Sequence, residues 1–292
     1  MCGQSGRAAS DRSGFRLVRL TLAGGPTVPF PCVLETVAAE FAAPHILLVT
    51  LNRPDAANAL NTQMGRDIYS VFQALLFDPG EVRCVVVTGA GRHFCAGGDI
   101  KERTGMSDEA WRLQHVVFEQ AFYAVMDCPI PVIAAVNGAA YGGGSELALA
   151  CDFILSADNA RFAFVETTLG IIPGGGGTQN LPRAVGLRRA RELLFSGAPF
   201  SAADGLSWGM INAIHPADAL LPEALAIAGK IAAAAPVAIR QAKTAMNRGY
   251  ETDLRTGLAI EIEAYNRTVP TADRREGILA AREKRTPQFQ GR

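Results

Sequence analysis

Two spacings of hydrophobic residues alternate in the first part of the chain. Short runs of apolar and β-branched residues predict strands at residues 46–51, 84–88, 131–136, 153–156 and 161–164. Between them, apolar residues recur at helical spacing in 61–77 and 107–127, and 145–150 predicts a short buried helix. Strands that alternate with helices are typical of an α/β fold.

The pattern changes after Gly177, because helical spacing dominates from Gly186 to the end except for a strand-like run at 210–214. Pro236 suits a first helical turn, and Gly249 suits the position just after a helix. We therefore predict an N-terminal extension over 1–32, an α/β core over 33–225 and a helical region over 226–292. The helices predicted in this part of the chain cover residues 220–234, 236–248, 253–268 and 271–284.

Composition limits what the chain binds. Lys and Arg total 28, as do Asp and Glu, so the formal net charge is zero and no global field favours nucleic acid or an anionic membrane. No apolar stretch approaches the roughly 20 residues of a membrane-spanning helix, so we expect a soluble, cytoplasmic protein.

The six cysteines form no C-x-x-C pair and are expected to be buried, reduced thiols. The four histidines lack metal-ligand spacing, so no metal site is expected.

The first thirty or so residues differ in composition from the rest. Arginines stand at positions 7, 12, 16 and 19, whereas Asp11 is the only acid. Arg-rich, acid-poor segments are typical of organelle transit peptides, which would place the protein in the mitochondrial matrix. We prefer the interpretation that this segment is disordered or an incorrectly assigned start.

Three glycine-rich segments, residues 93–101, 137–146 and 164–177, carry the candidate chemistry. The first two follow predicted strands, and α/β sheets bind ligands beyond the carboxyl ends of their strands. One backbone N–H group from each of these two segments can converge on a single oxyanion. Glu146 and Glu166 lie among apolar residues. Burial raises the pKa of a carboxyl group, so the two are a candidate acid/base pair.

Other glycine-rich sites fit these residues poorly. The dinucleotide-binding pattern G-x-G-x-x-G begins at Gly89 but would need a glycine where Phe94 stands. A phosphate-binding P-loop requires Lys followed by Ser or Thr after its glycines, and Gly177 is followed by Thr178. The residues around Ser145 do not form G-x-S-x-G and include no histidine, which argues against a serine hydrolase.

The motifs in these segments resemble those of the enoyl-CoA hydratase/isomerase (crotonase) family. Residues 94–101, 137–146 and 166–179 are similar to its three signature regions. Residues 51–54 and 58–61 are similar to its N-terminal motif, and 271–277 to its C-terminal motif. Residues 165–167, 171–179 and 256–261 look most like the methylglutaconyl-CoA hydratase branch.

The resemblance implies a crotonase spiral of ββα units with a C-terminal helical region that forms trimers or dimers of trimers. Gly98 and Gly143 match the residues whose N–H groups hold the thioester oxygen, and Glu146 and Glu166 match the two catalytic acids. Coenzyme A would enter as part of the substrate, with no permanently bound cofactor. Ala281 departs from the family, because relatives often have an aromatic residue there. The remaining contacts implied for CoA or substrate are Ala96, Asp99, Ile100, Lys101, Gly142 and Lys284, the last of these toward a neighbouring subunit's ligand.

Because both acids are present, the resemblance favours an enoyl-CoA hydratase. This enzyme adds water in syn fashion to a 2-enoyl-CoA and gives 3-hydroxyacyl-CoA, in fatty-acid or branched-chain amino-acid breakdown. We expect Glu146 to deprotonate water for attack at Cβ and Glu166 to deliver a proton to Cα. The alternatives are an enoyl-CoA isomerase, an acyl-CoA decarboxylase or a hydratase specific for methylglutaconyl-CoA.

A different class of function is a catalytically inactive protein that binds CoA or RNA. One member type of the methylglutaconyl branch binds RNA through a lysine-rich helix. The corresponding helix here, residues 61–77, has Arg66 and Asp67 but no lysine. Since phosphate contacts need clustered cations, RNA binding is not expected.

The acyl group of the substrate is the least defined feature. The helix over 107–127 is expected to cover the acyl end, which makes Trp111, His115 and Phe118 candidate lining residues, although ordinary helix packing explains each equally well. A carboxylated acyl group would require a cation or several N–H donors, and the sequence alone identifies none.

Overall fold

The computed structural model describes residues 33–292 in full, together with the backbone of β1 (Val18–Thr21) and β2 (Thr27–Phe30). These two short strands pair antiparallel. The rest of the extension predicted over residues 1–32, and with it the transit-peptide interpretation, lies outside the described residues.

Within residues 33–292, one six-stranded sheet forms the centre of the fold, in the order β11-β8-β6-β5-β4-β3. Its neighbouring strands are parallel except for the antiparallel pair β3–β4. A smaller sheet has the order β10-β9-β7. The strands are β3 (Val37–Ala43), β4 (Ile46–Leu51), β5 (Cys84–Gly89), β6 (Val132–Val136), β7 (Ala140–Tyr141), β8 (Phe153–Ala157), β9 (Arg161–Ala163), β10 (Phe200–Ser201) and β11 (Ala213–His215).

Helices cover the sheet and continue beyond it. Every residue of β5 and β6 is buried, which is why both read as continuous apolar runs rather than as an alternating pattern. Two short 3-10 turns occupy Pro54–Ala56 and Glu166–Leu169. The helices are α1 (Thr62–Phe77), α2 (Ile100–Arg103), α3 (Asp108–Met126), α4 (Gly143–Ala150), α5 (Gly177–Val185), α6 (Leu187–Ser196), α7 (Ala202–Ser207), α8 (Leu220–Ala232), α9 (Pro236–Tyr250), α10 (Leu254–Thr268) and α11 (Ala272–Glu283).

The α/β class and most predicted elements are confirmed, and the best-defined helix starts have the predicted chemistry. The Ser107 hydroxyl accepts a hydrogen bond from the Ala110 N–H and caps α3 as expected. The Asn61 side chain caps α1 in the same way. Helix α4 begins at Gly143 rather than at Ser145, so part of the glycine run belongs to the helix.

Two predictions in the second part of the chain are wrong. The strand expected over 210–214 lies at Ala213–His215 instead. Gly249 does not follow α9 but lies within it, where a methyl group would be 3.5 Å from the Gly257 Cα atom. That distance is an ordinary contact, whereas a methyl group at Gly257 would lie only 3.2 Å from the Gly249 carbonyl oxygen, so the close approach of α9 and α10 depends more on Gly257.

The predicted boundary between core and helical region, after residue 225, falls inside α8. This helix contacts β4, β5, β6 and β8 and contributes Leu220, Ala224 and Ala228 to the hydrophobic core. Helices α9 and α10 pack mainly against each other. The division into three parts stays a prediction.

The structure tests two expectations drawn from composition, the state of the cysteines and the lack of a membrane-spanning helix. Cys84, Cys95, Cys128 and Cys151 are buried and unpaired, as expected. Burial raises the pKa of Cys95 to about 12, so this thiol is protonated at neutral pH. In the part of the chain that the structure describes, no single helix is long and apolar enough to cross a membrane, and only α8 and α9 together meet that criterion, as a pair bent by 103°.

A partly buried ion pair attaches α9 to the core. The Lys243 ammonium, on α9, donates to the Asp152 carboxylate at 2.7 Å and to the Ile130 carbonyl oxygen at 3.0 Å. Asp152 also accepts from the Val132 N–H at 2.7 Å. The Lys243 side chain is 9% exposed, so its charge depends on these partners rather than on water.

Asp152→Ala is expected to lower the free energy of unfolding by about 2–3 kcal/mol, because it removes the counter-ion of the buried Lys243 charge and leaves only the Ile130 carbonyl oxygen as its partner. The double variant Asp152→Ala/Lys243→Met should lose less than Asp152→Ala alone, since no buried charge remains. Chemical denaturation followed by circular dichroism measures both losses. A double variant less stable than Asp152→Ala would contradict this account.

Candidate active site

The loops after β5 and β6 are joined by their backbones. Cys95 and Ala140 form a parallel bridge, and the Tyr141 N–H donates to the Cys95 carbonyl oxygen at 2.9 Å. A methyl group at Gly97 would lie 2.7 Å from the Tyr141 carbonyl oxygen and 3.5 Å from the Gly143 nitrogen. Contact at this distance requires glycine, and it brings the first two glycine-rich segments to one place.

Gly98 and Gly143 each present a backbone N–H beside this junction. Each follows a glycine with positive φ, namely Gly97 at 90° and Gly142 at 50°, which turns the next peptide group in a way that side-chain-bearing residues rarely allow. Gly143 is the first residue of α4, so its N–H has no acceptor within the helix. Within residues 33–292, no backbone hydrogen bond uses the N–H of Gly98 or Gly143. Both glycines line the same cavity, whose volume is about 870 Å³.

Glu146 enters this cavity from the first turn of α4 and is 4% exposed. Its Oε1 atom accepts hydrogen bonds from the Gly175 N–H and the Gly177 N–H, both at 2.8 Å. Burial raises the pKa of Glu146, while the backbone donors of Gly177, Gly175 and Gly174 act in the opposite direction and favour the anion. The third glycine-rich segment therefore holds this carboxylate in place.

Glu166 lies on the 3-10 turn after β9 and lines the same cavity at 6% exposure. Its Oε2 atom is buried and has no hydrogen-bond partner among the described residues. Burial, together with repulsion from Glu146, raises the pKa of Glu166 to about 7. This carboxyl is therefore substantially protonated at neutral pH.

The rest of the cavity wall is mostly apolar. Helix α3 contributes Trp111, His115 and Phe118, so the residues proposed from helical spacing do face this cavity. Leu169 and Ile172 lie opposite in the third glycine-rich segment, and both are more than half exposed. The wall thus suits a hydrocarbon chain with polar groups at one end.

The other residues predicted for CoA or substrate divide into two groups. Ala96, Ile100 and Gly142 line the cavity, but Asp99, Lys101 and Lys284 do not. The Asp99 carboxylate caps α2 through the N–H groups of Lys101 and Glu102, and it pairs with Arg53 at 2.9 Å. Lys284 ends α11 with a left-handed φ of 55°. The CoA contacts of Asp99, Lys101 and Lys284 stay predictions.

Sequence reasoning missed Arg103. This last residue of α2 lines the cavity, and its Nε donates to the Gln114 side-chain oxygen at 3.0 Å. Its guanidinium carbon is 4.5 Å from the centre of the Trp111 ring. The helical spacing between Trp111 and Gln114 was visible, but nothing in the sequence showed that the Arg103 side chain turns inward.

The described part of the chain contains no cluster of side chains that could form a metal site. No three His, Cys, Asp or Glu side chains there are arranged to coordinate an ion. The chemistry that the arrangement itself offers is proton transfer by two carboxyl groups beside a pair of N–H donors.

Comparison with known proteins places these features in context. Residues 42–292 match the model of the enoyl-CoA hydratase/isomerase family. The chain is 46% identical over 261 residues to the protein YngF of Bacillus subtilis (strain 168), covering 89% of this chain and 98% of YngF. It is 41% identical over 251 residues to the mitochondrial methylglutaconyl-CoA hydratase of Homo sapiens, covering 84% of this chain and 74% of that protein. The crystal structure of an enoyl-CoA hydratase from Bacillus anthracis superposes with a TM-score of 0.87 at 42% identity, covering 88% of this chain and all of that one (100%).

The two carboxyl groups should titrate as an interacting pair. We expect Glu166 to titrate near pH 7, and we expect Glu146→Gln to shift its pKa downward, because one source of the raised pKa is the Glu146 charge. Carbon-13 NMR of side-chain-labelled glutamate measures both values. Glu119→Gln on α3, outside the cavity, is the matched control and should leave the Glu166 titration unchanged. A Glu166 that titrates near 4.5, its ordinary value, would contradict the interaction.

Proposed function

The chain belongs to the enoyl-CoA hydratase/isomerase family, and from that premise we propose that it is an enoyl-CoA hydratase. The observation that carries the proposal is that Glu146 and Glu166 are both buried on one cavity, next to the N–H groups of Gly98 and Gly143. Addition of water needs one group that removes a proton and another that supplies one. An isomerase that shuttles a single proton has no need of the second acid.

The two N–H groups would bind the thioester oxygen. As water attacks Cβ, negative charge moves to this oxygen, and donors that are already in place stabilise it without reorganisation. The Gly97 and Gly142 backbone conformations, with φ of 90° and 50°, support this role, because they orient the following peptide groups before substrate arrives. The loss of one such donor typically costs about 10²–10³ in rate.

The unequal surroundings of the two acids support a division of labour. Glu146, held by two N–H donors, is the better base and would take a proton from water as its oxygen bonds to Cβ. Glu166, with a pKa of about 7, is the better acid and would give its proton to Cα. After the step Glu146 is protonated and Glu166 is ionised, and proton exchange with solvent restores both.

Coenzyme A would be bound as part of the substrate. Ala96 and Ile100 line the cavity on the side of the first glycine-rich segment, where the thioester must lie if Gly98 binds its oxygen. Ile100 is 63% exposed, which suits a residue that packs against a ligand rather than against the core.

A variant test addresses the acid/base pair. Glu146→Gln and Glu166→Gln should each lower kcat for crotonyl-CoA hydration by about 10²–10⁴-fold, because glutamine cannot transfer the proton. The loss of the crotonyl-CoA double bond is followed by its ultraviolet absorbance. Glu119→Gln should leave the rate unchanged.

The result also separates the proposal from isomerase chemistry. An enzyme that converts a 3-enoyl-CoA to its 2-enoyl isomer but does not hydrate crotonyl-CoA would contradict the proposal. In the wild type, kcat/KM should fall as pH rises through about 7, because Glu166 then loses the proton that it must donate.

We also propose that the chain forms homotrimers, alone or paired as hexamers. The exposed apolar side chains of α10 support this, since Leu254, Leu258, Ile262 and Tyr265 are 46–77% exposed. A cleft of about 2030 Å³ lies beside them, lined by residues of α9, α10 and the core. Apolar surface of this extent on a single chain is typical of a surface that another subunit covers.

Leu258→Glu and Ile262→Glu together should shift the assembly toward monomer, because they place charge on the proposed interface. Sedimentation velocity measures the species present. Leu187→Glu, on an exposed apolar residue of α6, is the control and should leave the assembly unchanged. A wild-type chain that sediments as a monomer at micromolar concentration would contradict the proposal.

A further inference from the structure

Arg103 places a positive charge in the wall of the cavity. A methyl group at Gly98 would lie 2.6 Å from the Arg103 Nη1 atom, so the guanidinium packs directly against the residue proposed to hold the thioester oxygen. Two aromatic rings lie on it, with centroids 4.5 Å away for Trp111 and 5.5 Å away for Phe118. The guanidinium is thus held among apolar groups rather than extended into solvent.

The neighbours of Arg103 orient it but leave its outer nitrogens unused. Its Nε donates to Gln114, whose amide nitrogen in turn donates to Glu102 at 2.7 Å and to Thr62 at 2.9 Å. Gln114 is 4% exposed, so the amide that orients Arg103 is buried. Within residues 33–292, neither Nη1 nor Nη2 of Arg103 has a hydrogen-bond acceptor or a salt-bridge partner. A fork of two donors is therefore available to the cavity.

A purely hydrocarbon acyl chain gives no physical reason for this arrangement. Arg103 is partly buried, so the aromatic rings remove part of the water from its guanidinium, and an acceptor in the cavity would recover that loss. Two parallel N–H groups match a carboxylate in bidentate geometry. Glu102, Glu166 and Glu146 all act on Arg103 through charge, but none of these carboxyl groups forms a salt bridge with it. An acceptor supplied by the ligand fits better than either acid.

We propose that Arg103 is a specificity-determining residue that binds a carboxylate at the end of a short acyl chain, so that the preferred substrate is a 2-enoyl-CoA carrying a second, free carboxyl group. The inference rests on the proposed hydratase function. The chain must be short because the guanidinium lies against Gly98, close to the thioester end of the acyl group. Arg112 also lines the cavity, but it is exposed and no hydrogen bond or aromatic ring among the described residues holds its guanidinium in place.

Two thioesters that differ only at the chain end test this inference. Glutaconyl-CoA ends in a carboxylate where 2-pentenoyl-CoA ends in a methyl group. The ratio of their kcat/KM values is expected to favour glutaconyl-CoA in the wild type and to fall roughly 10- to 100-fold in Arg103→Met, through KM more than kcat. Arg103→Lys, which keeps the charge but not the fork, should recover only part of the ratio. Arg188→Met, an exposed residue of α6 outside the cavity lining, is the matched control and should leave the ratio within about twofold, because a distant exposed charge interacts weakly with the ligand.

An equal loss for both thioesters in Arg103→Met would overturn the inference, since it would mean that Arg103 acts on the acid pair or on the fold. Binding gives a readout that needs no turnover. By calorimetry, wild type should bind glutaryl-CoA roughly 10- to 100-fold more tightly than pentanoyl-CoA. Equal affinities with intact crotonyl-CoA hydration would refute the carboxylate site and leave the hydratase standing. Tight, Arg103-dependent glutaryl-CoA binding without any hydration would refute the hydratase instead.

Discussion

The like charges of Glu146 and Glu166 share one largely apolar cavity, and the arrangement of the site follows from that conflict. Both carboxyl groups are largely shielded from water, so burial disfavours their ionised forms, and the charge of Glu146 further disfavours ionisation of Glu166. The protein resolves the conflict unequally, because the backbone of Gly175 and Gly177 donates to Glu146 while a buried oxygen of Glu166 has no partner among the described residues. The backbone donors thus favour the anion of Glu146 against its burial, whereas Glu166 lacks such donors and its protonated form is favoured. This difference is what makes the pair suitable for moving a proton in each direction.

The different surroundings of Glu146 and Glu166 depend on close contacts between backbone segments, which glycine allows because it has no side chain. A methyl group at Gly144 would lie 2.1 Å from the Cys95 carbonyl oxygen, and one at Gly177 would lie 2.9 Å from the Glu146 Oε1 atom. The parallel strands β5 and β6 bring their two following loops to the same edge of the sheet, and glycine allows those loops to touch. The fully buried strands β5 and β6 thus position the N–H groups of Gly98 and Gly143.

Arg103 adds a positive charge to the same cavity. Its field lowers the pKa of both acids, against the effect of burial. A carboxylate bound to the guanidinium, as proposed, would offset part of that field. Glu102 and Gln114 keep the guanidinium in place from behind, and the aromatic rings of α3 keep it beside the Gly98 backbone. The proposed recognition of a carboxylate and the proposed proton transfer would therefore be electrostatically linked in this cavity, although they use different side chains.

Local patterns in the sequence determined much of this molecule. The apolar runs of β5 and β6, the spacing of α1 and α3, the glycine-rich segments and the two isolated acids are properties of neighbouring residues, and each was legible without coordinates. The tertiary structure alone decided three other features. Gly249 meets Gly257 across two helices, Arg103 turns toward Gln114, and Glu146 finds donors 29 and 31 residues away. The physical reason is that periodicity and capping record only local backbone preferences. The direction of a long side chain, and the partner of a buried charge, depend instead on which distant segments the fold brings into contact.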